Sequence, residues 1–266
     1  MASATGGPKI EIRGVRHVYA GGGRSVPALA GVDLTVADGE FVALLGPSGC
    51  GKSSLLRILA DLLRPDGGSV RIHSAARADG ERPRTALVFQ EYALFPWRTV
   101  LDNVAFPLEM RGVTRAERVA LAGEVLARVG LQAFAHAYPH QLSGGMRQRV
   151  GIARALAAQP EVLLMDEPFG ALDAQTRTIL QEELLRVWEA ERKTVLYVTH
   201  SIDEAVYLAD RVVLLTARPG RVKAEYRVEL PRPREMEMRG WESYTKLALT
   251  IWAALKDEVE TAMAHD

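Results

Sequence analysis

The chain has 266 residues with 33 Lys+Arg and 33 Asp+Glu, so its formal charge at pH 7 is zero. That balance argues against a nucleic-acid partner, which would show as a basic domain. Hydrophobic content of 48% and charged content of 25% describe an ordinary globular protein, large enough for one sizeable core or two small ones. The most apolar runs, Val212 to Ala217 and Leu247 to Leu255, fall well short of the ~20 residues needed to cross a bilayer. Any membrane path is therefore expected in another chain. Residues 1–8 are small and polar, read as a disordered leader, and lack the apolar core of a signal peptide. The single cysteine, Cys50, excludes an internal disulfide and fits a reducing cytosol.

In chain order, Lys9 to Val36 reads as strands joined at the Gly21-Gly22-Gly23 turn. Phe41 to Leu45 is a short apolar block feeding a glycine-rich loop, and Lys52 to Leu63 reads as a helix. Strand-like runs recur at Thr85–Phe89, Val162–Asp166, Thr194–Thr199 and Arg211–Leu215, with helical patterns at Thr176–Arg192 and Ile202–Leu208. This alternation predicts an α/β fold with a mostly parallel sheet and an N-terminal antiparallel β part. From about residue 91 to 158 the periodicity is helical, clearest at Ala116–Val129 and Met146–Ala157, and predicts an inserted helical subdomain. Pro231-Arg232-Pro233-Arg234 breaks structure after a main domain of residues 9–230, and a helical tail, Trp241 to about Met263, fills residues 231–266.

Gly46-Pro47-Ser48-Gly49-Cys50-Gly51-Lys52-Ser53 fits G-x-x-x-x-G-K-[ST] at every fixed position and lies between a strand and a helix. Its glycines let successive N–H groups wrap an oxyanion, and the helix start adds its dipole. Lys52 is expected on the β- and γ-phosphates of ATP and Ser53 on Mg²⁺, with Ser54 completing the nucleotide-binding stretch. Cys50, beside Lys52 at a helix start, is expected to have a favoured thiolate, with a buried inert thiol as the other reading.

Val162 to Pro168 is a buried-strand run ending in Asp166 and Glu167. Asp166 is the candidate metal holder, and Glu167 the group that orients or deprotonates the attacking water. Gln90, closing another strand, could ligand Mg²⁺ or place water, or be an ordinary loop glutamine. His200 follows the strand ending at Thr199 and could sense the γ-phosphate, or be structural.

Leu142-Ser143-Gly144-Gly145-Met146-Arg147-Gln148-Arg149 resembles the LSGGQ signature of ABC ATPases, a family of P-loop NTPases, with Met146 in place of the usual glutamine. The motif order also matches: phosphate loop, glutamine, signature, aspartate strand, the Gly170-Ala171-Leu172-Asp173 turn, then histidine. The resemblance covers residues 9 to 230. It implies a head-to-tail pair of ATPase subunits in which Ser143, Gly144 and Gly145 cap the γ-phosphate held by the partner. It implies further that Tyr19 stacks on adenine and that Asp173 communicates across the pair.

The run Leu94-Phe95-Pro96-Trp97 before Val100-Leu101-Asp102-Asn103-Val104, and the later Arg218-Pro219-Gly220-Arg221-Val222, resemble the nitrate, sulfonate and taurine importer group. That resemblance implies transmembrane permease subunits as partners, a periplasmic or lipid-anchored solute-binding protein acting indirectly, and a peripheral place on the cytoplasmic face of the cell membrane. Phe95, Pro96 and Trp97 either receive a permease helix or pack the helical subdomain. An exporter cassette and a non-transport ABC ATPase are the competing functions.

Overall fold

The computed structural model describes residues 7–21, 24–74 and 84–264. Residues 1–6 of the expected leader, and Gly22 and Gly23 of the expected turn, lie outside them. In chain order the elements are β1 (Ile10–Gly21), β2 (Arg24–Val36), β3 (Phe41–Leu45), α1 (Lys52–Leu59), β4 (Gly67–Ile72), β5 (Thr85–Val88), α2 (Val100–Met110), α3 (Arg115–Arg128), α4 (Gly144–Ala157), β6 (Val162–Asp166), α5 (Ala174–Glu191), β7 (Thr194–Val198), α6 (Ile202–Leu208), β8 (Arg211–Leu215), β9 (Val222–Arg227) and α7 (Glu242–Met263). Two compact units emerge, residues 76–191 and the chain on either side of them.

The flanking unit contains an antiparallel sheet in the order β2-β1-β4. Its buried residues include Ile10, Ile12 and Val15 of β1 and Leu29, Val32, Leu34 and Val36 of β2. The same unit holds parallel strands: β3 pairs β7 from Phe41 opposite Val195, and β8 from Val42 opposite Arg211. Every residue of β3 is fully buried, as expected of a strand covered on both faces. β9 closes the edge antiparallel to β8. Both β4 and β9, absent from the sequence expectations, are edge strands whose residues are half-buried or exposed.

Helix α1 ends at Leu59, four residues earlier than the sequence suggests. Asp61 takes a left-handed φ of 57°, and the Leu62 and Leu63 N–H groups both turn back to the Arg57 carbonyl, closing the helix. Helix α7 buries Tyr244, Ile251 and Leu255, and the Tyr244 hydroxyl donates to Asp203 Oδ1 on α6 at 2.6 Å.

In the central unit β5 and β6 are parallel, with Val88 opposite Met165. Helices α2, α3 and α4 pack round Val104, Ala122, Leu126, Val150 and Ala153. Their starts are specified locally. Thr99, Thr114 and Ser143 accept from the N–H groups of Asp102, Glu117 and Met146, satisfying donors the helix cannot. Among the described residues no helix is long and apolar enough to cross a membrane.

Candidate functional site

In the flanking unit, β3 runs straight into the loop and α1 begins at Lys52. Lys52 is 5% exposed, and its ammonium donates to the Gly46 carbonyl at 2.7 Å and the Pro47 carbonyl at 2.8 Å. The loop thus curls around one cation, while the N–H groups at the start of α1 remain suited to an anion. Gly51 has φ 100°, and a Cβ there would lie 2.7 Å from the Ala28 carbonyl oxygen, so no other residue fits.

Two more predicted residues gather in this unit. Leu44 of β3 is opposite Val198 of β7, and the Thr199 N–H donates to the Leu44 carbonyl at 3.1 Å. His200 and Gly46, each two residues beyond that pair, therefore leave the same carboxyl edge of the sheet, where ligands of open α/β sheets bind. Tyr19 has an exposed ring, and its hydroxyl shares a hydrogen bond with Ser54 Oγ at 3.0 Å. His17 meets that ring edge-on at 4.6 Å, and its Nδ1 lies 3.3 Å from Asp66 Oδ2.

Cys50 departs from the expectation of a favoured thiolate. Burial pushes its thiol above the ordinary value, and Lys52, 3.8 Å from the sulfur, only partly offsets this. Desolvation of the charged form outweighs the charge of Lys52 and its hydrogen bond to the sulfur.

The central unit carries the remaining candidates. Gln90 and Glu167 each lie two residues beyond the Val88–Met165 pair, at the carboxyl ends of β5 and β6. A Cβ on Gly170 would come within 3.7 Å of Glu167 Oε2 and 3.9 Å of Gln90 Nε2, so the two side chains converge on one spot. Glu167 holds φ at 43°, a strained conformation for a non-glycine residue. Asp166 is buried at the end of β6. Ser143 caps α4, so Ser143, Gly144 and Gly145 form a helix start. Asp173 caps α5, accepting from the Thr176 N–H at 2.9 Å, and that hydrogen bond holds its carboxyl below the usual range.

Sequence reasoning missed several supporting residues. Glu204, 6% exposed, accepts from Tyr197 Oη at 3.1 Å and Thr199 Oγ1 at 2.6 Å, while Thr199 Oγ1 accepts from the Ser201 N–H. This buried carboxylate fixes the turn that carries His200. Arg154 on α4 donates to the carbonyls of Ala93 and Tyr92, and Arg147 lies over the Tyr92 ring at 5.2 Å. The signature helix therefore holds the segment after Gln90. Spacing in the sequence signals neither group.

Among the described residues no cluster of three or more His, Cys, Asp or Glu could cage a metal. Ser53 in the flanking unit carries a hydroxyl, and Gln90 and Asp166 in the central unit an amide oxygen and a carboxylate, each a hard oxygen donor of the kind Mg²⁺ prefers.

Residues 29–170 match the model of the family described as ABC transporter. An uncharacterized ABC transporter ATP-binding protein of Methanocaldococcus jannaschii is 51% identical over 251 residues, 94% of this chain and 92% of that one. The taurine import ATP-binding protein TauB of Chromobacterium violaceum is 54% identical over 200 residues, covering 75% and 76%. The nitrate import ATP-binding protein NrtD of a Synechocystis strain is 45% identical over 226 residues, 85% of each. Among solved structures, a dimeric post-hydrolysis state of an ATP-binding cassette bound to ADP and Pi aligns with a TM-score of 0.73 at 36% identity, covering 84% of this chain and all of that one.

Proposed function

The chain belongs to the ABC transporter family as an ATP-binding, ATP-hydrolysing subunit, and from that premise we propose that it energises import of a small solute such as nitrate, taurine or another sulfonate. The observation that carries the proposal is that two of its relatives are named as import subunits, one for taurine and one for nitrate. Its partners on this reading are transmembrane permease subunits and a second, identical ATPase subunit, at the cytoplasmic face of the membrane. A solute-binding protein acts from the other side.

Each residue has a role in this reading. ATP lays its phosphates along Gly46–Ser54, and Lys52 exchanges the carbonyls of Gly46 and Pro47 for phosphate oxygens. Tyr19 supports the adenine. Ser53, Asp166 and Gln90 hold Mg²⁺, which supplies charge neutralisation on the phosphates. Glu167 orients the attacking water and takes its proton, with Gln90 beside it as a second polar contact. His200 contacts the γ-phosphate from the carboxyl edge of β7. Ser143, Gly144 and Gly145 present a helix start to the nucleotide of the partner subunit, and Asp173 lies in the turn facing that partner. Because each ATP is fully bound only by two subunits, binding closes the pair and hydrolysis releases it.

The permease contact is proposed at Trp97. Trp97 is 73% exposed, with its ring tilted against Phe95 at 5.7 Å, and Phe95 in turn packs edge-on to Phe106 at 4.6 Å within the same unit. Buried Asn103 holds the loop between them, accepting from the Phe95 N–H and donating to the carbonyls of Phe95, Arg98 and Thr99. The result is a rigid mount for one exposed indole.

Growth of a strain lacking this chain tests the proposal. Loss of growth on taurine or an alkanesulfonate as sole sulfur source, or on nitrate as sole nitrogen source, with normal growth on sulfate and ammonium, is the expected result. Unimpaired growth on all of them would count against these solutes.

A further inference from the structure

The Arg218-Pro219-Gly220-Arg221 segment, prominent in the sequence and unused by the chemistry above, joins β8 to β9 and packs behind the phosphate loop. The Gly220 N–H donates to the Ala28 carbonyl at 2.9 Å, and the Ala30 N–H donates to the Gly220 carbonyl at 3.0 Å, which ties the turn to β2. A Cβ on Gly220 would sit 2.1 Å from the Cys50 carbonyl oxygen, so the turn and the loop touch backbone to backbone. Thr216 stiffens the turn from inside: its Oγ1 donates to the Pro219 carbonyl at 3.2 Å and accepts from the Arg221 N–H at 3.0 Å.

Both ends of this turn are gripped by α7. Glu258 Oε2 accepts from the Ala217 N–H at 2.7 Å. Glu258 Oε1 accepts from Lys223 Nζ at 2.8 Å, and the same ammonium donates to the Ala254 carbonyl at 2.9 Å. One carboxylate thus clamps residue 217 before the turn and residue 223 after it.

We propose that α7 is a strap that sets the shape of the phosphate loop, with Glu258 and Gly220 as positioning residues for ATP. The inference rests on the reading of Gly46–Ser54 as the nucleotide loop. Glu258 fixes the Ala217 amide, the turn presents Gly220 to the Cys50 carbonyl, and this contact aims the N–H groups of the loop. Hydrogen bonds weaken steeply once a donor is misaimed, so the effect falls on nucleotide binding before chemistry.

The test uses the full chain, the fluorescent analogue mant-ATP with Mg²⁺, and steady-state ATPase kinetics, with melting temperature as a check on folding. Glu258→Ala and Gly220→Ala are expected to raise Kd for mant-ATP and KM for ATP on the order of tenfold, the size of one lost charge-assisted hydrogen bond, with kcat nearly unchanged. Glu258→Gln keeps an acceptor for the Ala217 N–H and should recover most of the affinity. Folded variants that bind mant-ATP as the parent does, or that lose kcat at constant KM, would overturn the proposal. If Gly220→Ala does not fold, the Ala and Gln substitutions of Glu258 carry the test between them. A parent chain that binds no mant-ATP, or binding that survives Lys52→Ala, would remove the premise and the inference with it.

Discussion

Lys52 Nζ lies 3.8 Å from Cys50 Sγ, yet the thiol is harder to ionise than a free one. Burial outweighs both the nearby charge and the hydrogen bond from Lys52 to the sulfur, while the same ammonium also donates to the carbonyls of Gly46 and Pro47. Cys50 should therefore react with a disulfide reagent more slowly than an exposed thiol at neutral pH, and the rate should climb as pH rises past the ordinary thiol range. Stopped-flow labelling of the folded chain across pH 7 to 10 checks this. Labelling at pH 7 faster than that of the denatured chain would mean an activated thiolate.

Glu167 concerns the subunit pair. If it handles the attacking water, Glu167→Gln should bind ATP normally and hydrolyse it ~10²-fold or more slowly, the usual loss on removing such a group. With saturating Mg-ATP the variant should accumulate as a closed dimer, detectable by light scattering. Only monomer under those conditions would contradict the assigned role.

Asn103 and Trp97 separate scaffold from contact. Asn103→Ala takes the side-chain partner from the Phe95 N–H and the Arg98 carbonyl, while the Phe95 and Thr99 carbonyls keep the backbone N–H groups of Arg98 and Asn103, and should cost about 1–2 kcal/mol in urea unfolding. Trp97→Ala should shift stability by less than about 0.5 kcal/mol, because the ring is mostly in solvent. Only the second should weaken co-purification with the permease while isolated ATPase activity stays intact.

The carboxyl of Glu258 yields a pH signature. Burial opposes its ionisation, but the hydrogen bonds from Lys223 and the Ala217 N–H win and hold it below its ordinary 4.5. A depressed carboxyl contributes stability that is fully present above the unfolded-state value and is lost as pH falls through the folded-state value. Glu258→Gln should cost about 1 kcal/mol at pH 7, a modest figure because solvent screens the pair with Lys223 and the adjacent Asp257. The gap should begin to close below about pH 4.5. Denaturant melts at pH 7, 5 and 4 measure it, and a gap that stays constant would refute the linkage.

The places of the candidate residues at strand ends and helix starts were legible in the sequence, and the contacts that support them were not. Gly46–Ser53 and the Asp166-Glu167 strand end are local patterns, because a phosphate cradle and a strand terminus are each built from consecutive residues. The order of motifs along the chain extended this to Gln90, Ser143 and His200. Long-range contacts leave no such trace: Glu258 reaches Ala217 across 41 residues, and Gly220 closes on Cys50 across far more. β4 escaped notice because its two glycines and irregular burial give no clear alternation, whereas β9 does alternate, with half-buried Val222, Ala224 and Tyr226 against exposed Lys223, Glu225 and Arg227, and could have been read as an edge strand. For Cys50 the neighbouring charge was readable, but the burial that reverses its effect belongs to the fold.

The most direct test of the account is uptake of labelled taurine and of nitrate by cells carrying either the natural chain or Glu167→Gln at its own locus. The account predicts that the substitution abolishes uptake of at least one of these solutes while the protein remains with the membrane fraction. Uptake of both at the natural rate would contradict the claim that ATP hydrolysis by this chain drives their import.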